Sequence, residues 1–110
     1  MTKRVLIIDD DLILGRLAQR VLARPDLEVA TVGSLAEARK AVSRDGRPDV
    51  VVADIHLPNG DGRHLREELA DVPFIIISGF SDEAPDLAKP FSARALREKV
   101  QEKLGLLEAL

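Results

Sequence analysis

Blocks of apolar residues alternate along this chain with segments in which apolar residues recur every three or four positions. The blocks predict five strands, over residues 4–8, 27–31, 50–54, 73–77 and the short stretch 86–88. The periodic segments predict four helices, over residues 12–23 and 62–70 and after the predicted N-caps Ser34 and Ser92. Because strands and helices alternate, we expect a doubly wound α/β fold with a parallel sheet and helices on both of its faces.

One strand and one connection depart from this regular pattern. Residues 27–31 are less apolar than the other predicted strands, which places them nearer the edge of the sheet. Only residues 79–85 separate the fourth strand from the fifth, whereas a parallel crossover with its helix usually needs about 10 to 12 residues. We therefore expect a loop at this crossover, with one helical turn at most, and a short fifth strand.

Composition limits the classes of protein to which the chain can belong. With 110 residues it has room for one domain, over residues 1–110, and its scarce aromatic residues predict an aliphatic core. It has no Cys, which excludes disulfides and thiolate metal sites, and no apolar run of the roughly 18 residues that a membrane span needs. A net charge of −3 argues against nucleic acid as the main partner. We expect a cytoplasmic protein that does not bind membranes.

Polar side chains stand at the ends of four predicted strands. Asp9 and Asp10 follow the first strand, Asp54 closes the central one, Ser78 follows the fourth and Lys89 follows the fifth. In a parallel sheet, functional groups gather beyond the carboxyl ends of the strands. Burying the carboxylate of Asp54 is costly unless a cation or hydrogen-bond donors meet it, so we expect these groups to converge.

The expected cluster favours magnesium and phosphoryl chemistry. Neighbouring carboxylates form an all-oxygen site of high negative charge, which suits Mg²⁺ with a phosphate in its coordination shell. Lys89 and Ser78 are not typical ligands of such an ion, but an ammonium and a hydroxyl can hold a phosphoryl group that a carboxylate carries. The residues alone thus predict Mg²⁺-dependent phosphorylation of an Asp.

The same residues resemble the receiver domain of two-component response regulators over nearly the whole chain. The motifs that carry the resemblance are Asp9-Asp10, Asp54 with Leu57-Pro58 and Gly62 at the family's offsets, Ser78 in IIISG, and Lys89-Pro90-Phe91. The resemblance implies a flavodoxin-like sheet of strand order 2-1-3-4-5. It also implies that the phosphoryl group comes from a phosphohistidine on a sensor histidine kinase or a histidine phosphotransfer protein.

The resemblance implies a role for each matched residue. Asp54 is then the phosphoacceptor, Ser78 and Lys89 contact the phosphoryl group, and the peptide bond after Lys89 is cis. The implied Mg²⁺ ligands are Asp9, Asp10, Asp54 and the backbone carbonyl of His56. Among them Asp10 binds directly, whereas Asp9 acts largely through water. Apart from its own phosphorylation and dephosphorylation, the domain is not expected to be an enzyme.

Two features depart from the family's pattern. Receivers usually have a full helix between the fourth and fifth strands, and we expect that helix to be reduced to a loop here. Three residues before the Lys they usually carry a Tyr or Phe that changes rotamer on phosphorylation, and here that residue is Asp86. We therefore expect intact phosphorylation chemistry, with output through a different surface toward an unknown downstream protein.

Two other functions stay open at the level of the sequence. A haloacid-dehalogenase-like phosphatase also places an Asp-x-Asp after its first strand, here Asp9 and Asp11, but it needs a later acidic motif and leaves Asp54 unexplained. Asp11 is more simply the N-cap of the first helix. The other alternative is a receiver-like docking module that works without phosphorylation. We expect no effector domain after Leu110, and therefore a stand-alone receiver, or one separated from a larger sensor kinase, that signals by protein contact or onward phosphotransfer.

Overall fold

The computed structural model describes residues 2–58, 60–79 and 85–105. Its strands are β1 (Lys3–Ile8), β2 (Leu27–Val32), β3 (Val50–Asp54), β4 (Phe74–Ser78) and β5 (Leu87–Ala88). Its helices are α1 (Leu12–Leu22), α2 (Leu35–Asp45), α3 (His64–Glu68) and α4 (Ala93–Leu104). The helix predicted after Ser92 is thus α4, and it follows β5.

The strands of the described residues form one parallel sheet in the order β2-β1-β3-β4-β5. This order confirms the predicted flavodoxin-like fold, with β2 at one edge and β5 at the other. The register aligns the strand ends, because Ile8 of β1 is level with Ala53 of β3, and Asp54 is level with Ile77 of β4. The residues that follow these strands therefore meet at one edge of the sheet.

Each face of the sheet has its own aliphatic core, because successive side chains of a strand point to opposite faces. On β1, Leu6 and Ile8 pack with α2 and α3, whereas Val5 and Ile7 pack with α1 and α4. All five residues of β3 are buried, which explains its unbroken apolar sequence. Burial on both faces places β3 at the centre of the sheet and carries Asp54 to its carboxyl edge.

Three predicted side-chain caps begin helices as expected. Asp11 accepts hydrogen bonds from two backbone amides in the first turn of α1, at 3.1 Å each. Ser34 and Ser92 each accept one from the amide three residues later, in α2 and α4. The carboxylate of Asp11 is thus committed to the start of α1, which argues against its use as the second acid of a phosphatase motif.

α3 is shorter than the helix over residues 62–70 that the sequence pattern predicts. The carboxylate of Asp61 accepts a hydrogen bond from the backbone N–H of Arg63 at 2.8 Å, and this local turn delays the start of the helix. Leu69 has φ −119° and ψ 51°, which lie outside the helical region, so the helix ends early. The two leucines that the sequence pattern places on the buried face of this helix, Leu65 and Leu69, are nonetheless both buried.

The buried face of α1 differs from the predicted one at Leu17. The sequence pattern groups Leu17 with the buried positions, but it is 54% exposed, and the buried residues of α1 are Gly15, Ala18 and Leu22. Gly15 lets α1 lie close to β2, because an added Cβ would overlap the side chain of Thr31. Leu17 consequently lines the outer groove between α1 and α4.

The link between β4 and β5 comprises residues 79–86. Residues 80–84, which belong to the predicted loop, lie outside the described residues. The prediction of a short fifth strand is confirmed, since β5 contains two residues. Among the helices of the described ranges, none is long and apolar enough to cross a membrane.

Candidate functional site

Four predicted site residues converge at the carboxyl edge of the sheet. Asp9 follows β1, Asp54 ends β3, Ser78 ends β4 and Lys89 follows β5. The first three are almost fully buried, whereas the side chain of Lys89 is 28% exposed. Carboxylates buried this deeply are costly unless a cation compensates for them, and Lys89 supplies that positive charge.

Both carboxylate oxygens of Asp54 have hydrogen-bond donors. Oδ1 accepts a hydrogen bond from the backbone N–H of His56 at 2.9 Å, and Oδ2 accepts one from Nζ of Lys89 at 2.7 Å. The first bond is local, whereas the second joins residues 35 positions apart in the chain. The loop after β3 and the residue after β5 thus fix the orientation of this carboxylate together.

Lys89 also contacts a second buried carboxylate, that of Asp9. Its Nζ lies 3.1 Å from Oδ2 of Asp9, so the two residues form an ion pair. Oδ1 of Asp9 accepts a hydrogen bond from the backbone N–H of Asp11 at 2.9 Å. One ammonium thus bridges two carboxylates, and Oδ2 of Asp9 is buried without a hydrogen-bond partner among the residues that the structure describes.

Burial and charge shift the pKa of two residues in this cluster. Burial raises the pKa of Asp9 above its ordinary value, and the N–H of Asp11 and the ammonium of Lys89 offset this rise only in part. Partial burial on its own lowers the pKa of Lys89, but the contacts with Asp54 and Asp9 outweigh it and raise that pKa above its ordinary value. At neutral pH, Lys89 is therefore charged and able to bind an anionic group.

Asp9, Asp10 and Asp54 each have one carboxylate oxygen that could serve as a ligand of a single metal ion. These three oxygens lie within 4.8 Å of one another, and Asp10 is exposed whereas the other two residues are buried. A set of carboxylate oxygens is what Mg²⁺ prefers among protein ligands. The buried Oδ2 of Asp9 accepts no hydrogen bond from the described residues, and water bound to such an ion would supply one. The residues present therefore fit a magnesium ion.

The other predicted site residues lie around this cluster. Ser78 is buried on β4, one residue beyond Ile77, which pairs with Asp54. His56 lies beside Asp54 and bonds it through the backbone N–H, whereas the prediction concerns its carbonyl. The peptide bond between Lys89 and Pro90 is cis, which confirms the expectation from the resemblance. The roles of these residues as metal ligands or phosphoryl contacts stay predictions.

Two residues bear on this site in ways that sequence patterns do not reveal. An added Cβ on Gly62 would overlap the backbone carbonyl of Asp54 and lie 3.0 Å from Cβ of Ala53. Close packing therefore requires glycine at this position, although turn geometry is the reason that its sequence context suggests. The carboxylate of Asp86 accepts a hydrogen bond from the backbone N–H of Ile76 in β4. The available signals were the place of Gly62 in the motif that carries the resemblance and the presence of Asp86 where receivers usually carry an aromatic residue, and neither signal reveals these contacts.

Replacing Gly62 with Ala is expected to lower the free energy of unfolding by about 1–3 kcal/mol, because the carbonyl of Asp54 cannot move aside without shifting β3. Gly79 is a matched control, since no heavy atom of the described residues lies within 4 Å of a Cβ added there. Gly79→Ala should change the same free energy by less than about 1 kcal/mol. The chain has no Trp or Tyr, so urea unfolding is followed by far-UV circular dichroism. Equal effects of the two substitutions would contradict the packing argument.

The sheet order and the acidic edge define a parallel α/β protein of the flavodoxin-like class, with a lysine that bridges two buried aspartates. Residues 5–101 match the sequence model of the family described as the response regulator receiver domain. The chain belongs to this family and is a receiver domain of the two-component response regulator type. Membership confirms the resemblance seen in the sequence motifs and removes the support for a haloacid-dehalogenase-like phosphatase.

Individual relatives and solved structures agree with this assignment. The chain is 37% identical over 116 residues to the C4-dicarboxylate transport transcriptional regulatory protein DctD of Pseudomonas aeruginosa, a match over 92% of this chain and 25% of DctD. It is 30% identical to the transcriptional regulatory protein KdpE of Staphylococcus aureus, over 92% of this chain and 49% of KdpE. The chain thus spans half or less of these two relatives.

Solved structures resemble the chain over nearly its whole length. A CheY-like response regulator receiver domain protein from Methanospirillum hungatei JF-1 superposes with a TM-score of 0.81 and 25% identity, covering 96% of this chain and 95% of the other. A sensor protein from Polaromonas sp. JS666 superposes with a TM-score of 0.79 and 25% identity, covering 94% and 96%. The receiver fold therefore accounts for almost all of the described residues.

Proposed function

We propose that this receiver domain accepts a phosphoryl group on Asp54 with the help of a bound Mg²⁺. The observation that carries the proposal is the position of the Lys89 ammonium, 2.7 Å from Oδ2 of Asp54 and 3.1 Å from Oδ2 of Asp9. Buried charge clusters of this kind are seldom the most stable solution for a core. The same ammonium is well placed to bind the oxygens of a phosphoryl group on Asp54, which gives the cluster a chemical reason to exist.

Each residue of the cluster has a part in the proposed transfer. An oxygen of Asp54 attacks the phosphorus atom of the donor, the bond from phosphorus to the leaving group breaks, and a mixed anhydride forms on Asp54. Lys89 and Ser78 then hold oxygens of the transferred group. The proposed ligands of the ion are Asp10 and Asp54 directly, Asp9 through water, and the carbonyl of His56. When bound, Mg²⁺ supplies positive charge next to the phosphoryl oxygens during transfer.

Family membership supports the proposed partners. Response regulators interact with histidine kinases, so we propose as donor a phosphohistidine on a sensor histidine kinase or a histidine phosphotransfer protein, and the cytoplasm as the location. We also propose that residues 1–110 form a single receiver domain whose own phosphoryl turnover is its only catalysis. Its output passes to a downstream protein by contact or by onward transfer.

Incubation with acetyl phosphate tests the proposed function on the intact chain. We expect intact-mass spectrometry to show one phosphoryl adduct when Mg²⁺ is present, because the charge on the transferred oxygens then has both the ion and Lys89 to offset it. Excess EDTA should reduce the adduct to background. Far-UV circular dichroism of the same samples verifies that the protein is folded under both conditions.

The two results of this experiment lead to different functions. An adduct that depends on Mg²⁺ supports a working phosphoacceptor and makes the identity of the donor the next question. No adduct in a folded protein would contradict the proposal and favour the receiver-like docking module that works without phosphorylation. In that case, the presence of Asp86 where receivers usually carry an aromatic residue would be part of the divergence of this chain from phosphorylated receivers.

A further inference from the structure

β5 is the shortest strand of the sheet, and Lys89 follows it directly. It contains two residues, whereas strands commonly contain five or six. Leu87 is buried in the core beside α4, and the backbone N–H of Lys89 donates to the carbonyl of Ser78 at 2.8 Å. Because Lys89 can reach Asp54 only while β5 stays at the sheet edge, the contacts that hold β5 also position Lys89.

Asp86 holds the start of β5 through two hydrogen bonds to a single residue of β4. Its Oδ2 accepts from the backbone N–H of Ile76 at 2.7 Å. Its own N–H donates to the carbonyl of Ile76 at 2.8 Å. In a regular parallel ladder, a backbone carbonyl would accept the bond from Ile76. The side chain of Asp86 therefore takes the place of a strand carbonyl at the edge of the sheet.

The same pair of hydrogen bonds occurs at the start of β3. Oδ2 of Asp49 accepts from the N–H of Arg4 at 2.7 Å, and the N–H of Asp49 donates to the carbonyl of Arg4 at 2.8 Å. β3 continues for five buried residues between two neighbouring strands, so Asp49 is one of many contacts that hold it. Among the strands that the structure describes, β5 pairs with β4 alone and contains two residues, so Asp86 carries a larger share of its attachment.

We propose that Asp86 is a positioning residue for the chemistry of Asp54. By bonding β5 to Ile76, it keeps Lys89, three residues later, within hydrogen-bond distance of the Asp54 carboxylate. This inference rests on the proposed phosphorylation of Asp54. In this inference, Asp86 has a different role from the aromatic residue that receivers usually carry at this position, because that residue changes rotamer. A carboxylate bonded to the backbone of β4 is held in one rotamer, so β5 is anchored at this point.

The test compares Asp86→Ala with Asp86→Asn and with the matched control Asp49→Ala. Each is labelled with acetyl phosphate and saturating Mg²⁺ at a temperature where circular dichroism shows it folded. Asp86→Ala should slow the labelling of Asp54 by about tenfold to a hundredfold, since a displacement of about 1 Å at a reacting group has effects of that size. Asp86→Asn keeps an acceptor oxygen and should recover most of the rate. Asp49→Ala loses the same bond elsewhere in the sheet and should label as fast as the wild type.

Amide hydrogen exchange of the unphosphorylated protein gives a second readout. In Asp86→Ala, the amides of Ile76 and Lys89 should exchange at least about tenfold faster, while the amides of β3 keep their protection. If the wild type takes no label, the proposed function fails, and the exchange of these two amides still decides whether Asp86 anchors β5.

Three results would overturn the inference. The first is that Asp86→Ala has the wild-type rate of labelling and the wild-type exchange rate at the Lys89 amide. The second is that Asp86→Asn is labelled as slowly as Asp86→Ala. The third is that Asp49→Ala slows labelling as much as Asp86→Ala does, because the slowing would then reflect a general loss of stability. The inference is supported if Asp86→Ala is labelled slowly while Asp86→Asn and Asp49→Ala are labelled at close to the wild-type rate.

Discussion

Replacing Asp54 with Asn is expected to abolish labelling by acetyl phosphate, down to the level seen without a phosphodonor. The amide has nearly the shape of the carboxylate and can still accept the hydrogen bond from the N–H of His56. Its neutral oxygen, however, is a poor nucleophile toward phosphorus. The fold should survive, because the change removes one of three clustered negative charges. Intact-mass spectrometry in the presence of Mg²⁺ measures the adduct.

Two controls establish that the acceptor is Asp54. Asp71→Asn changes an exposed acid that lies just before β4 in the chain and pairs with Arg47. This variant should be labelled to the same extent as the wild type. Neutral hydroxylamine should remove the wild-type adduct, as expected for an acyl phosphate and not for a phosphate ester on Ser78. An adduct of normal size on Asp54→Asn would mean that another residue accepts the phosphoryl group.

Replacing Lys89 with Ala is expected to lower the free energy of unfolding of the metal-free protein by roughly 2–4 kcal/mol. Asp9 and Asp54 are both buried and would lose their shared counter-charge, and removing one partner of a buried ion pair costs about 3–5 kcal/mol. Solvent reduces this cost because the side chain of Lys89 is 28% exposed. Urea unfolding measures the loss, and Lys40→Ala, at an exposed position of α2, is the control.

The loss in Lys89→Ala should grow as the pH rises from acid toward neutral. Burial already raises the pKa of Asp9, and removal of the neighbouring ammonium should raise it further. A group whose pKa is raised by folding contributes stability that is present below its unfolded pKa and lost as the pH rises through its folded pKa. Unfolding curves at about pH 4 and about pH 8 test this sign. A loss that does not vary with pH would point to the aliphatic contacts of Lys89 instead of its charge.

Mg²⁺ should reverse much of this destabilisation. The ion supplies the positive charge that Lys89→Ala lacks, and a ligand that binds only the folded state raises its stability. We expect Mg²⁺ binding to be spared in the variant, whereas the conformational response to phosphorylation should be lost. Unchanged signalling by phosphorylated Lys89→Ala would contradict the expectation that Lys89 couples phosphorylation to this conformational response.

Local sequence patterns predicted most of the fold because the physics behind them is local. The apolar block of β3 predicted a central strand, since burial on both faces leaves no position for polar side chains. Ser34 and Ser92 predicted helix starts because a side chain can satisfy an amide three residues away. The pattern failed at Leu17, because the exposure of this residue depends on how closely α1 packs on β2. It also failed at the start of α3, which depends on the turn at Asp61.

The sequence by itself determined the class of fold, the order of the elements and the residue types at the candidate site. The predicted parallel sheet already implied that the polar strand ends converge, but only the tertiary structure decided which atoms form hydrogen bonds there. Lys89 and Asp54 are 35 positions apart, and Asp86 and Ile76 are 10 apart, so both contacts depend on the register between strands. Register is set by the packing of the two cores against the sheet, a property of the whole chain that no short motif contains.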